Sequence, residues 1–124
     1  MWSVLIVDDN PSIRKVLCGL FVREGDFEVC GNANNGRDGI EKARLLKPSL
    51  IVTDISMPIM NGLEETRILR SLMPSVPVII YSAHIDRYVE KEALAAGASA
   101  VVSKADPVTV LIEMSRQLLE ERAA

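Results

Sequence analysis

"SVLIVDDNPS", residues 3–12, runs from an apolar strand straight into two adjacent carboxylates. Val4, Leu5, Ile6 and Val7 are apolar in succession rather than in alternation. A strand of that kind suits burial on both faces, as in a parallel sheet. Asp8 and Asp9 follow at once, and two like charges at the end of a buried strand disfavour each other unless something positive joins them. Asn10 then offers a side-chain cap, and Pro11 stands where a first helical residue belongs. The ten residues read as strand, acidic turn and helix start.

The same alternation continues outward. Apolar runs recur as "WSVLIV" (2–7), "FEVCGNA" (27–33), "SLIVTD" (49–54), "VPVIIYS" (76–82) and "SAVVS" (99–103). Helical spacing fills the gaps. Ile13, Val16, Leu17, Leu20 and Phe21 fall on one stripe that ends at Gly25. Ile40, Ala43 and Leu46 share a face before Pro48. Leu63, Thr66, Ile68 and Leu69 mark a third helix closed by Pro74. Asp86 caps a fourth that stops at Gly97. In the fifth, Pro107 sits in the first turn, and Val110, Leu111, Met114 and Leu118 face inward. Strand and helix repeated five times with short loops predict an α/β fold. Its core is a five-stranded parallel sheet with helices on both faces, joined by right-handed crossovers.

The bulk properties agree with one domain spanning 1–124. The chain has 124 residues, 48% of them hydrophobic and 25% charged, which suits a globular domain with a real core. A net charge of −3 gives no electrostatic argument for nucleic-acid binding by these residues. No apolar run reaches membrane-spanning length, and no basic leader precedes an apolar stretch, so the cytoplasm is the expected location. Cys18 and Cys30 read as reduced core thiols, and no CxxC or Cys/His cluster suggests zinc. His84 is the one histidine and reads as an exposed loop residue.

In open α/β sheets, sites form beyond the carboxyl ends of the strands. The first strand ends in Asp8 and Asp9, the third in Asp54, the fourth in Ser82 and the fifth in Lys104. Three carboxylates on one rim call for a cation, and hard oxygen ligands select Mg²⁺. Lys104 adds a positive point for an anion, and Ser82 adds a hydroxyl donor. The set describes a pocket for a phosphoryl group, with Asp54 as the nucleophile that takes it. Taken singly, each residue has a structural reading: Asp8 and Asp9 as helix caps, Asp54 in a turn, Ser82 as a satisfied hydroxyl, Lys104 as a solvated charge. Their convergence on one edge favours the site.

These residues resemble the receiver domain of bacterial two-component response regulators. The matching pieces are "VDD" (7–9), "DISMPIMNG" (54–62), "YSA" (81–83), "AGA" (96–98) and "SK" (103–104), and the likeness covers essentially the whole chain. The resemblance implies a flavodoxin-like, doubly wound sheet of strand order 2-1-3-4-5. It implies that Asp54 is the phosphoacceptor and Asp9 a direct Mg²⁺ ligand, with Asp8 holding the metal largely through water. The backbone carbonyl of Ser56 would be a further ligand, Ser82 the switching hydroxyl, and Lys104 the partner of the phosphoryl group. The phosphodonor would be a phosphohistidine on a sensor histidine kinase. Phosphorylation would change the surface of the fourth helix, fifth strand and fifth helix, favouring homodimerisation or release of an output domain. Members usually carry Tyr or Phe where this chain has Val101, and often Pro where it has Ala105. Ser56 and His84 fill the two positions that tune phosphoryl lifetime in relatives.

Three further readings stay open. A flavodoxin-type small-molecule domain would want a phosphate-binding loop after the first strand, where this chain offers two negative charges. A phosphohydrolase with an aspartyl nucleophile would use the paired aspartates for acid/base work. Within the receiver reading, the chain would be either a stand-alone regulator or the receiver part of a transcriptional regulator. The spacing from Asp54 to Ser82 and Lys104 resembles receivers attached to helix-turn-helix output domains, and DNA would be bound only through such a domain. The switch itself would not be an enzyme, beyond assisting its own phosphorylation and dephosphorylation.

Overall fold

The computed structural model describes residues 1–123, in which five strands pair in parallel in the order β2-β1-β3-β4-β5. The strands are β1 (Trp2–Val7), β2 (Phe27–Ala33), β3 (Leu50–Thr53), β4 (Val78–Ser82) and β5 (Ala100–Ser103). They alternate with α1 (Pro11–Arg23), α2 (Gly36–Leu46), α3 (Gly62–Leu72), α4 (Arg87–Ala96) and α5 (Val108–Ala123). The order reverses direction between β1 and β3, so helices fall on both faces of the sheet. This is the doubly wound arrangement expected from the alternation of elements and from the resemblance.

Alternate residues of β1 feed two cores. Val4 and Ile6 join Leu17 and Phe21 of α1 and Leu111, Ile112 and Leu119 of α5 on one face. Leu5 and Val7 join Ile40 and Ala43 of α2 and Leu69 of α3 on the other. All four β1 residues are essentially without solvent exposure, so the continuous apolar run is explained by burial on both sides. No helix among the described residues is long and apolar enough to cross a membrane.

The helix starts follow local chemistry. Asn10 Oδ1 accepts the N–H groups of Ser12 and Ile13, Asn35 caps α2, Asn61 caps α3 and Asp86 caps α4. α1 ends through Glu24 onto Gly25, whose φ of +86° only glycine adopts freely. Gly97 ends α4 in the same way, at φ +113°.

Several inward assignments from helical spacing are corrected. Val16 is 60% exposed, and Leu46 and Ile68 also lie at the surface. The buried stripe of α3 is Gly62, Glu65, Thr66 and Leu69, with Leu63 partly buried against the cluster of Ile80, Ala93 and Ala98 and Ile68 left outside. In α5 the fully buried positions are Leu111, Ile112, Ser115 and Leu119, while Val110, Met114 and Leu118 pack at the margin. Apolar residues can sit on an exposed flank of a helix at little cost, so spacing blurs the edge of the stripe. Cys18 and Cys30 are both free thiols, partly buried. Burial is the main cause that raises each thiol pKa above its usual value.

Candidate functional site

Strand register builds the site. Val7 pairs with Thr53 across β1 and β3, and the next step carries the ladder on: Asp54 N–H donates to the Val7 carbonyl at 3.0 Å. Asp8 N–H donates to the Ala33 carbonyl at 3.0 Å, so both aspartates leave the sheet at the same level. Ser82 pairs with Ser103, and Lys104 N–H donates to the Ser82 carbonyl at 2.9 Å. Four strands therefore deliver Asp8, Asp54, Ser82 and Lys104 to one rim.

Lys104 closes the arrangement. Its Nζ donates to Asp8 Oδ2 at 2.8 Å and to Asp54 Oδ2 at 2.9 Å. Burial alone would lower the lysine pKa; the hydrogen bonds and charges of Asp8 and Asp54 outweigh it and hold the ammonium above its usual range. The other oxygens of both carboxylates are also engaged. Asp8 Oδ1 accepts from Asn10 N–H at 2.9 Å, and Asp54 Oδ1 accepts from Ile55 N–H at 2.7 Å. Arg14 Nη1 donates to the Asp8 carbonyl at 2.7 Å, anchoring the turn to α1. These bonds answer why two carboxylates sit at a strand end: Asp8 is buried and paired, and Asp9 beside it is exposed.

Asp8, Asp9 and Asp54 each offer a carboxylate oxygen within 4.8 Å of the others. A magnesium ion holds oxygens at about 2.1 Å, so one cation can draw on this set with small side-chain movements. The formal charge of three carboxylates and one ammonium is −2, which a divalent cation balances. Oxygen-only donors suit Mg²⁺ over softer metals, and Ser56 lines the same cleft. The cleft has a volume of ≈ 300 Å³ and is also lined by Asn10, Ser82, Ala83, His84 and Lys104. Every residue singled out on the rim thus meets in one place. His84 is exposed, as expected, but stands on the wall of the cleft.

Spacing did not reveal the layer beneath. Thr53, fully buried, places Oγ1 3.1 Å from the Asp54 carbonyl and 2.5 Å from Oε1 of Glu65. Gly62 lies so close to the Asp54 carbonyl that an added Cβ would come within 1.9 Å of it. Glu65 falls on the same helical stripe as Thr66 and Leu69, which is the one signal in the sequence that it points inward.

A family model described as the response regulator receiver domain matches residues 4–116. The chain is 42% identical over 103 residues to a protein-glutamate methylesterase/protein-glutamine glutaminase of Nocardioides sp., covering 82% of this chain and 28% of that protein. It is 36% identical over 104 residues to the transcriptional regulatory protein LnrK of Bacillus subtilis, covering 84% of this chain and 47% of that protein. Its fold is similar to the crystal structure of the response regulator domain of Thermotoga maritima CheB. That likeness has a TM-score of 0.90 and 30% identity, with 97% of each chain covered. The chain therefore spans less than half the length of these two curated relatives.

Proposed function

The chain belongs to the response regulator receiver family, and on that footing we propose that it is a phosphorylation-dependent signalling switch spanning 1–124. Asp54 takes a phosphoryl group from a phosphohistidine of a sensor histidine kinase. The observation that carries this reading is the Lys104 ammonium held between Asp8 and Asp54 in an acidic cleft. Nothing in a purely structural role calls for two carboxylates on one lysine with a third carboxylate beside them at a strand-end rim.

Asp8, Asp9, Asp54 and the Ser56 backbone carbonyl are the groups that would hold Mg²⁺. When bound, the ion would neutralise negative charge between the acceptor and the phosphoryl oxygens. An Asp54 carboxylate oxygen attacks phosphorus in line, and the P–N bond to the imidazole breaks. The leaving nitrogen keeps the electron pair. Ile55 N–H orients the attacking carboxylate through Oδ1. Lys104 lets go of Asp54 Oδ2 and turns to the incoming oxygens, which bring charge of their own. Ser82, buried at the end of β4 one strand from Asp54, donates its hydroxyl to the same oxygens. The surface of α4, β5 and α5 responds, with homodimerisation or release of an output domain as the result. As such a switch the chain is not an enzyme in its own right.

Beside the rim, Ile13, Val16, Leu20 and Val108 line an apolar groove of ≈ 320 Å³ that reaches Lys104. The likeness to a transcriptional regulatory protein supports a helix-turn-helix, DNA-binding output outside these residues; the likeness to a methylesterase supports an enzymatic output as a second reading. Such a switch works in the cytoplasm, where kinase and output meet. Incubation with acetyl phosphate and Mg²⁺ tests the core of the reading by intact mass. One phosphoryl group is expected, lost in Asp54→Asn and without metal; undiminished addition in that variant would overturn it.

A further inference from the structure

Beneath the rim lies a carboxyl group that the switch chemistry does not use. Glu65 of α3 has no solvent exposure, and its Oε2 has no hydrogen-bond partner among the described residues. Its surroundings are uncharged on every side. β1 presents Val7, β3 presents Thr53, and α2 presents the bare backbone of Gly36 and Gly39. Charged neighbours look elsewhere: Asp8 and Asp54, just past β1 and β3, pair with Lys104, Asp38 of α2 pairs with Lys42, and Arg37 of α2 and Glu64 of α3 itself are exposed. Gly39 leaves room for the carboxyl group, since a Cβ there would come within 2.3 Å of Glu65 Oε2 as it stands.

Counting protons decides the charge of this group. The Thr53 hydroxyl carries one proton but touches two oxygens, the Asp54 carbonyl and Glu65 Oε1. If Glu65 were ionised, both would be pure acceptors and one would go without. The charge would also stand buried with no cation near it, which is the costliest arrangement available to a carboxylate. A neutral Glu65 resolves both problems. Its Oε1–H donates to Thr53 Oγ1, and Thr53 Oγ1–H donates to the Asp54 carbonyl. The orphan Oε2 is then an uncharged carbonyl oxygen. Burial outweighs the bond to Thr53 and pushes the Glu65 pKa up to about 8, in the same direction.

The relay ends at the acceptor. The Asp54 carbonyl and the Ile55 N–H belong to one peptide unit, and that N–H donates to Asp54 Oδ1 at 2.7 Å. The next carbonyl, Ile55 O, accepts from Gly62 N–H at 2.9 Å, one turn before Glu65. We infer that Glu65 is a positioning residue that holds its proton, and that its bond through Thr53 orients the Asp54–Ile55 peptide and with it the Asp54 carboxylate. On losing the proton to solvent, Glu65 claims the Thr53 hydroxyl and leaves the Asp54 carbonyl without that donor. The inference rests on Asp54 being the acceptor, yet the relay can be tested without phosphorylation.

The test is an NMR titration of the metal-free, unphosphorylated protein from about pH 5 to about pH 9, following the Glu65 side-chain carboxyl carbon and the Ile55 amide. Both are expected to move together, with one midpoint several pH units above that of an ordinary glutamate. Thr53→Val is expected to leave the Glu65 midpoint high but to remove the Ile55 step. Glu65→Gln, whose amide can still donate to Thr53, is expected to keep the Ile55 amide at its low-pH position throughout. A Glu65 midpoint in the ordinary carboxylate range, or an Ile55 amide with no step at the Glu65 midpoint, would overturn the inference. Wild-type protein alone decides this even if a variant does not fold. Failure of phosphoryl uptake, measured separately by mass, would strike the function and leave the relay standing.

Discussion

Replacing Glu65 with glutamine should stabilise the protein increasingly as pH rises. In the unfolded chain a glutamate ionises at its ordinary value of 4.5, whereas the folded environment pushes it up to about 8. A raised folded pKa means that stability is greatest below the unfolded value and is lost as pH rises toward the folded one, because the unfolded state releases a proton that the folded state must keep. Each unit between the two values costs about 1.4 kcal/mol, so between about pH 5 and pH 8 the wild type should lose roughly 3 kcal/mol through this group. Glutamine has no proton to give up and escapes that loss. Its amide nitrogen keeps the bond to Thr53 but carries a second N–H that finds no charge or acceptor in this buried site, which costs about 1–3 kcal/mol but is independent of pH. The difference between variant and wild type is therefore the quantity to follow. Urea unfolding at several pH values, read by circular dichroism, should show it growing in favour of the variant by roughly 3 kcal/mol across the range. A difference that stays flat with pH would mean that Glu65 is ionised in the fold or more hydrated than its surroundings indicate.

Other expected outcomes concern the rim and its loops. In Lys104→Ala, Mg²⁺ measured by calorimetry should bind several-fold more tightly, because the ammonium that occupies Asp8 and Asp54 is gone; a large loss of binding would show that the lysine organises the metal site. Ile59 holds φ at +68° while 75% exposed, and Met60 N–H closes a tight turn onto the Pro58 carbonyl at 2.7 Å. Ile59→Gly should therefore raise stability by roughly 1 kcal/mol in urea unfolding, since a β-branched residue is strained there; a loss of stability would mean that the side chain packs where its exposure says it does not. Val101 is short and packs, partly buried, against Ile80, Ala93 and Ala98, so it is expected to act as packing rather than as a lever. Val101→Ala should leave the hydrogen-exchange response of residues 82–96 to beryllofluoride mostly intact, and abolition of that response would contradict this.

Much of the protein was legible because period and punctuation coincide. The β1 run Val4–Val7, the caps at Asn10 and Asp86, and the stops at Gly25 and Gly97 are local signals, and local signals survive without knowledge of the fold. The rim was legible for a related reason. In a parallel sheet every strand ends on the same edge, so listing the residue after each apolar run lists the site: Asp8, Asp9, Asp54, Ser82 and Lys104. What those residues do to one another was decided only in three dimensions. By sequence Lys104 reads as a partner for phosphoryl oxygens; the register of β4 and β5 also lays it across Asp8 and Asp54. Val16 belonged to an apolar stripe by spacing, yet the width of the α1 contact leaves it outside. Glu65 shows the limit most plainly. By itself "LEET" reads as a charged, solvated helix face, and only the four-residue step from Glu65 to Leu69 sets Glu65 apart from Glu64. The distinction arises because α3 turns Glu65 onto Thr53, while Gly36 and Gly39, some thirty residues away in the chain, leave room for a carboxyl group and bring no charge to meet it. Burial and hydrogen-bond partners are properties of what packs against a side chain, and that is set by tertiary structure rather than by sequence neighbours.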